Sequence, residues 1–282
     1  MATAPRRRFS VRLGLADDTG DALHEGVPDH LLRPLQQWVY QMAERSNRYI
    51  GKTMCLRLRL TVPAKTNASW RLSQQEGIEL LDAVDEILAF LIEMDVRDHY
   101  EVHALGNLLD DAGSAYRVTD DNSGLELRVS TGVSEAMRQT IADATALTST
   151  GSASDHLTTA WRAAYGLHPD PERAYSEAIK AVECAAHAVI QPNHKRATLG
   201  TMLGELKGPA RPKFTTVLTT TDTKDPIAPV EELVRALWDG QTSRHGKQTP
   251  TAPETLEAAR ASVHLAATLV QWFSSGAVVR TP

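Results

Sequence analysis

The chain has 282 residues, of which 42% are hydrophobic, 23% charged and only 5% aromatic, and it carries a formal net charge of −5. That is the composition of an ordinary folded protein, with material for one large core or two modest ones built mainly from Leu, Val, Ile and Ala. Cys55 and Cys184 are the only cysteines and lie far apart, which excludes a disulfide framework or a thiolate metal site. No apolar run approaches the length that spans a bilayer.

The charge is uneven. Residues 1–153 hold 16 Lys/Arg against 22 Asp/Glu, and residues 154–282 hold 14 against 13. Neither half has the excess of a non-specific nucleic-acid binder. One stretch departs from this: from His194 to Lys213, Lys195, Arg196, Lys207, Arg211 and Lys213 face only Glu205. A solvated helix and loop, or a track for phosphates, would both produce such a pattern. Arg6, Arg7 and Arg8 are not followed by an apolar region, so no secretory signal is expected and the expected compartment is the cytoplasm.

In chain order, Pro28–Arg45 sets Leu31, Leu35, Trp38, Val39 and Met42 on one helical face, with Pro34 as a point for a kink. Cys55–Val62 alternates apolar and basic residues, a strand pattern. Ser73–Asp95 reads as a helix opened by a Ser73/Glu76 capping box, with a broad apolar stripe from Leu80 to Ile92. A helix over Asp98–Asp111 follows. Ala115–Val118 and Leu125–Val129 then flank Asp120-Asp121-Asn122-Ser123-Gly124, and these residues predict a β-hairpin. Val133–Leu147 is helical and ends in Thr148-Ser149-Thr150-Gly151-Ser152, the expected boundary between a region 1–150 and a region 151–282. The second region is helical throughout, with helices expected at Ala153–Leu167, Pro171–Ile190, Ala197–Lys207, Val230–Asp239 and Pro253–Ser274. A long irregular connection covers Gly208–Pro229. The fold class is therefore mainly α: a C-terminal helical bundle preceded by a helical region with a small hairpin.

Two places could carry chemistry. On the helix Pro171–Ile190, Ser176, Lys180, Glu183 and His187 stand at offsets that stack them on one stripe. They are either an exposed face with i,i+4 spacing or a polar line facing a groove or a second subunit. Many alanines surround them, which suits a helix packed on several sides. In Leu237–Gly246, Arg244 and His245 are adjacent in a Gly-bounded turn. Arg offers a planar donor fork for phosphate or carboxylate, and His titrates near neutral pH and can move a proton. Asp155 and His156 sit near a helix start, where Asp155 suits a cap or dipole partner, and His194 suits a turn. His99 and His103 have i,i+4 spacing but no evident third ligand. There is no Walker loop, dinucleotide fingerprint, HExxH or GxSxG, and no cofactor or metal is expected.

Three segments, Ser176–Glu183 (SEAIKAVE), Thr198–Leu206 and Arg244-His245-Gly246, together with the long closing helix, resemble the C-terminal domain of abortive-infection-type proteins. Leu108–Val118 and the hairpin after it are similar to the N-terminal region of AbiJ-like members. The resemblance covers roughly Ser73 to Ser274. It implies a HEPN-like helical bundle, commonly homodimeric, whose active members are metal-independent ribonucleases. Their signature is an Arg, usually followed by a polar residue, separated from a His by about four to six residues. Counting back from His245, those positions hold Gly240, Asp239 and Trp238, so the signature is broken here. The resemblance implies a phage-defence or toxin-type protein acting on RNA, with a phage-derived or host trigger and a sensor role for the first region. In its enzymatic form His245 is the general acid/base, Arg244 stabilises charge on phosphorus and Glu183 orients one of them. Lys180, His187, Lys195 and Arg196 then hold the substrate. The alternative is a non-catalytic interaction or ligand-sensing module with a degenerate motif.

Overall fold

The computed structural model describes residues 23–45, 49–96, 99–147, 150–218, 225–242 and 252–281. Among these residues the chain is mainly helical, with eleven α-helices and two small antiparallel strand pairs. It forms two compact units that divide between Arg128 and Val129. The division therefore does not fall at 148–152. The helix before that point packs on the next helix, Ala153–Tyr165, and on the last, Leu256–Ser274, both in the second unit, and Thr150 is buried with its hydroxyl donating to the carbonyls of Ala144 and Leu147 at 2.6 Å.

The first unit holds α1 (Asp29–Glu44), α2 (Ile50–Arg57), α3 (Ala68–Ser73), α4 (Gly77–Glu93), α5 (His99–Asp111), β1 (Tyr116–Val118) and β2 (Leu125–Leu127). The predicted apolar face of α1 is buried, with Leu31, Leu35, Val39 and Met42 nearly inaccessible, and so is the stripe of α4 from Leu80 to Leu91. The hairpin is antiparallel and pairs Tyr116 with Leu127 and Val118 with Leu125. Gly124 is needed at its tip: a Cβ there would come within 2.6 Å of the Asp85 carboxylate, which accepts the Leu125 amide.

Two expectations fail in this unit. Cys55–Val62 is not a strand. Cys55 to Arg57 complete helix α2, because Ile50, Met54 and Cys55 form a helical rather than an alternating buried set, and Leu56 points outward. The basic residues that suggested alternation have other roles. Arg57 pairs with Glu86 and Glu93 of α4, and Arg59 takes a left-handed conformation that ends the helix. Nor do Ser73 and Glu76 form a capping box. Asn67 caps α3 through the Ser69 and Trp70 amides, which draws Ser73 into that helix, and α4 starts at Gly77 with no side-chain cap.

The second unit holds α6 (Thr131–Ala146), α7 (Ala153–Tyr165), α8 (Pro171–Ile190), α9 (Leu199–Lys207), β3 (Phe214–Thr216), α10 (Ala228–Asp239), α11 (Leu256–Ser274) and β4 (Val278–Arg280). Helix α8 is central and packs against α7, α9 and α11. Its alanines explain how. Ala174, Ala178, Ala181 and Ala186 have no exposed surface, and side chains this short let backbones approach closely. Asp170 caps α8 by accepting the Arg173 amide, and Pro171 fills its first position. Two further close approaches rest on glycine. A Cβ on Gly200 would meet the Trp238 ring at 2.5 Å, and one on Gly240 would run into the Tyr175 hydroxyl. The β3–β4 ribbon closes this unit with Phe214 opposite Arg280, a pairing that no pattern in the sequence predicts.

Candidate functional site

The polar stripe of α8 is real, and it lies half-buried rather than free in solvent: Ser176, Glu183 and His187 are partly covered, and Lys180 is exposed. Each of the last three has a partner inside the same unit. Lys180 Nζ donates to Glu177 Oε1 at 2.8 Å. The other oxygen of Glu177 accepts His156 Nδ1–H at 2.6 Å. Glu177 thus bridges a lysine one turn along its own helix and a histidine from α7. Burial pushes its carboxyl upward, but the bonds from Lys180 and His156 outweigh that and hold it below its ordinary value.

Glu183 has a different task. Its Oε1 accepts the backbone N–H of Leu199 at 2.6 Å, the first residue of α9. A helix N-terminus presents unpaired amides and partial positive charge, so a carboxylate there satisfies a donor and the dipole together. Burial raises the Glu183 carboxyl above its ordinary value, and the Leu199 amide and the nearby Lys180 and His156 offset this only in part.

His187 donates from Nε2 to the carbonyl of His194 at 3.0 Å. The segment between α8 and α9 is therefore tied down twice, at the His194 carbonyl and at the Leu199 amide. Further bonds tighten it. Thr201 Oγ1 donates to Gln191 Oε1 at 2.8 Å, and Thr198 and Thr201 make a reciprocal capping box at the start of α9. Between the tethers, Lys195 and Arg196 are exposed.

Arg244 and His245 lie outside the described residues. Of the seven residues the sequence nominates, Lys180 and Glu183 sit about one turn apart on α8, and His187, Lys195 and Arg196 gather at the α8–α9 turn. Lys207 and Lys213 from the same basic stretch are exposed, whereas Arg211 is engaged by Asp225 and by the buried Glu231.

Sequence reasoning missed Glu177 and placed His156 only near a helix start, beside the capping candidate Asp155. It also missed a second polar-aromatic cluster between α7 and α11. There Tyr165 Oη and His264 Nε2 are 2.7 Å apart, Trp161 stacks on Tyr165 with centroids 4.3 Å apart, and the Arg260 guanidinium lies 5.0 Å from the Tyr165 ring centroid. Burial raises the Tyr165 hydroxyl, with Arg260 partly opposing it, and burial lowers His264. The i,i+4 spacing of Trp161 and Tyr165 was visible; the partnership with residues about a hundred positions away was not. His99 and His103 lie on α5, where His103 Nδ1 accepts Asn107 Nδ2–H at 3.2 Å. Among the described residues no three His, Cys, Asp or Glu side chains are grouped to hold a metal ion, and no helix is long and apolar enough to cross a membrane.

No protein-family model, no curated protein and no solved structure matches this chain.

Proposed function

We propose that the chain is a non-catalytic relative of the abortive-infection-type proteins, whose second unit, a HEPN-like bundle, binds RNA through its sugar–phosphate backbone at the Lys195–Arg196 turn. The observation that carries this reading is the pair of tethers under that turn. His187 fixes the carbonyl of His194 and Glu183 fixes the amide of Leu199, so the two cations between them stand on a preformed loop. Pre-ordering removes part of the entropy that binding would otherwise cost. Arg supplies a bidentate fork for phosphate and Lys a compact point charge.

The same bonds argue against catalysis at this edge. A Glu183 that caps α9 is not placed to orient an acid/base pair, and Lys180 is held by Glu177. The broken Arg–His spacing around residue 245 points the same way. A homodimer, and a first unit that senses a phage-derived or host trigger, belong to this reading through the sequence resemblance.

Fluorescence anisotropy with a labelled single-stranded RNA tests it, alongside incubation of tRNA with the protein in EDTA. Binding that weakens with salt is expected. Lys195→Ala with Arg196→Ala should lower affinity about tenfold and flatten the salt dependence by about 0.7 for each cation removed. In EDTA the tRNA should stay intact. Cleavage that disappears in Arg244→Ala and His245→Ala would replace this reading with a ribonuclease. Absence of RNA binding at low salt would end it.

A further inference from the structure

We propose that the first unit holds a binding site for a small amphipathic anion, an apolar body ending in a carboxylate or sulfonate, in the hollow between α2 and the segment 60–69. This site is independent of the RNA reading, since all its residues belong to the first unit.

The hollow has a volume of about 630 Å³, well inside the range of about 300–1,000 Å³ typical of small-molecule pockets. Its walls are mostly apolar, formed by Ala43, Cys55, Leu60, Val62 and Ala68. Two of the lining side chains, Leu56 and Tyr49, are 79% and 72% exposed. Isolated apolar side chains on a surface are ordinary. Two large ones lining one concave place, one of them aromatic, are what a ligand with an apolar body requires.

The hollow is also built to stay open. Tyr49, Arg59 and Lys65 all take left-handed backbone conformations, at φ of 53°, 54° and 69°. Such residues cost free energy and persist only where the surroundings impose them. Gly51 is the contact that sets the spacing of α2 and α3: a Cβ there would come within 2.9 Å of the Ser69 backbone. Asn67 locks the far side, accepting the Ser69 and Trp70 amides while its Nδ2 donates to Glu44 Oε1 at 2.9 Å. A cavity framed in this way is pre-formed rather than produced by loose packing.

Charge selects the ligand's polar end. Glu44 is engaged by Asn67, whereas Lys52 faces the Tyr49 ring at 5.4 Å and pairs with no carboxylate among the described residues. Both charges line the hollow, but the Glu44 carboxylate is held by the Asn67 amide, and Lys52 is the cation at its edge that no carboxylate among the described residues contacts. Binding is non-covalent: the Cys55 thiol donates to the Ala68 carbonyl, and burial raises it, so it is a poor nucleophile.

The test is a titration of the full chain with anilinonaphthalene sulfonate, followed by competition with dodecanoate, dodecanol and dodecylamine. One saturable site is expected, with dodecanoate displacing the dye at concentrations where dodecylamine does not. Lys52→Ala should weaken the dye about fivefold, as for one exposed charge contact, and abolish the preference for the acid. Leu56→Asp should remove the site. Both positions are exposed, and an unchanged melting temperature shows that either variant is folded. The proposal is overturned by non-saturable dye binding, by affinities unchanged in both variants, or by equal displacement with all three competitors. Co-sedimentation with phosphatidylglycerol vesicles that matches the affinity for free dodecanoate would also overturn it, in favour of a membrane surface.

Discussion

The polar edge of α8 and the hollow beside α2 resolve opposite problems. On α8 the chain places Lys180, Glu183 and His187, groups able to bind or react, and then supplies each with a partner from within: a carboxylate, a helix amide and a carbonyl. Beside α2 the partners are missing. Tyr49 and Leu56 keep exposed apolar surface and Lys52 keeps its charge unpaired, while the surrounding backbone adopts three left-handed residues to hold that arrangement. Buried polar groups are normally satisfied, so a chemically suggestive row of side chains is often scaffolding. Unsatisfied surface held in place by strain is the better sign of a ligand. At α8 the free groups are those the scaffold presents, Lys195 and Arg196.

The strongest way to break this contrast is Gly51→Ala. Its Cβ would sit 2.5 Å from Ser69 Oγ and 2.9 Å from the Ser69 backbone, and backbone cannot rotate away as a side-chain end can. We expect a loss of about 2 kcal/mol in denaturant unfolding, with the dye site lost at denaturant concentrations where the chain is still folded. RNA affinity should not change. A variant as stable as the parent would show that the α2–α3 spacing is adjustable and the hollow not fixed by it.

The uneven legibility of these two regions follows from range. Helix α8 was readable to the residue, because Asp170, Pro171 and the alanine spacing act within one or two turns. The apolar faces of α1 and α4 were equally plain. Cys55–Val62 was misread because its arginines and leucines alternate for unrelated reasons: Arg57 answers Glu86 and Glu93, some thirty residues away. The reading of Ser73 and Glu76 failed since Asn67, six residues upstream, had already set the preceding helix. For the site, sequence found the stripe but could not see that Glu183 meets α9 or that Glu177 meets His156. The hollow left no pattern at all, as it arises from the gap between α2 and the segment after it.

Glu183 sharpens the comparison at lower cost. Glu183→Leu leaves the Leu199 amide without its acceptor, and we expect a loss of about 1–2 kcal/mol, with RNA affinity falling as the turn loosens. Glu183→Gln keeps a carbonyl oxygen for that amide and should preserve both fold and RNA binding, whereas Glu183→Leu should not. The pH dependence has a definite sign. Burial raises this carboxyl above its ordinary 4.5, so the folded state holds the proton more tightly than the unfolded chain. Its favourable contribution is complete below about pH 4.5 and disappears as pH rises through the higher folded value. Chemical denaturation from pH 4 to 7 should therefore show the parent losing stability relative to Glu183→Gln across that window.

The smallest effect concerns the backbone that frames the hollow. Helices α2, α4 and α5 all end in the same way, with a left-handed residue followed by a bond back across the last turn: Leu60 to Cys55, Val96 to Leu91 and Ser114 to Leu109. Gly113 fills the left-handed position in the last of these, but Arg59 and Asp95 fill it in the others. A side chain there costs roughly 1 kcal/mol against glycine, partly offset by the extra freedom glycine gives the unfolded chain. Arg59→Gly should thus stabilise the protein by about 0.5 kcal/mol, and Gly113→Ala should destabilise it by a similar or larger amount, both read from denaturation midpoints. If the hollow is held open by its frame, the easier turn at residue 59 leaves dye affinity unchanged. An affinity that falls as stability rises would instead show that the Arg59 strain itself shapes the site.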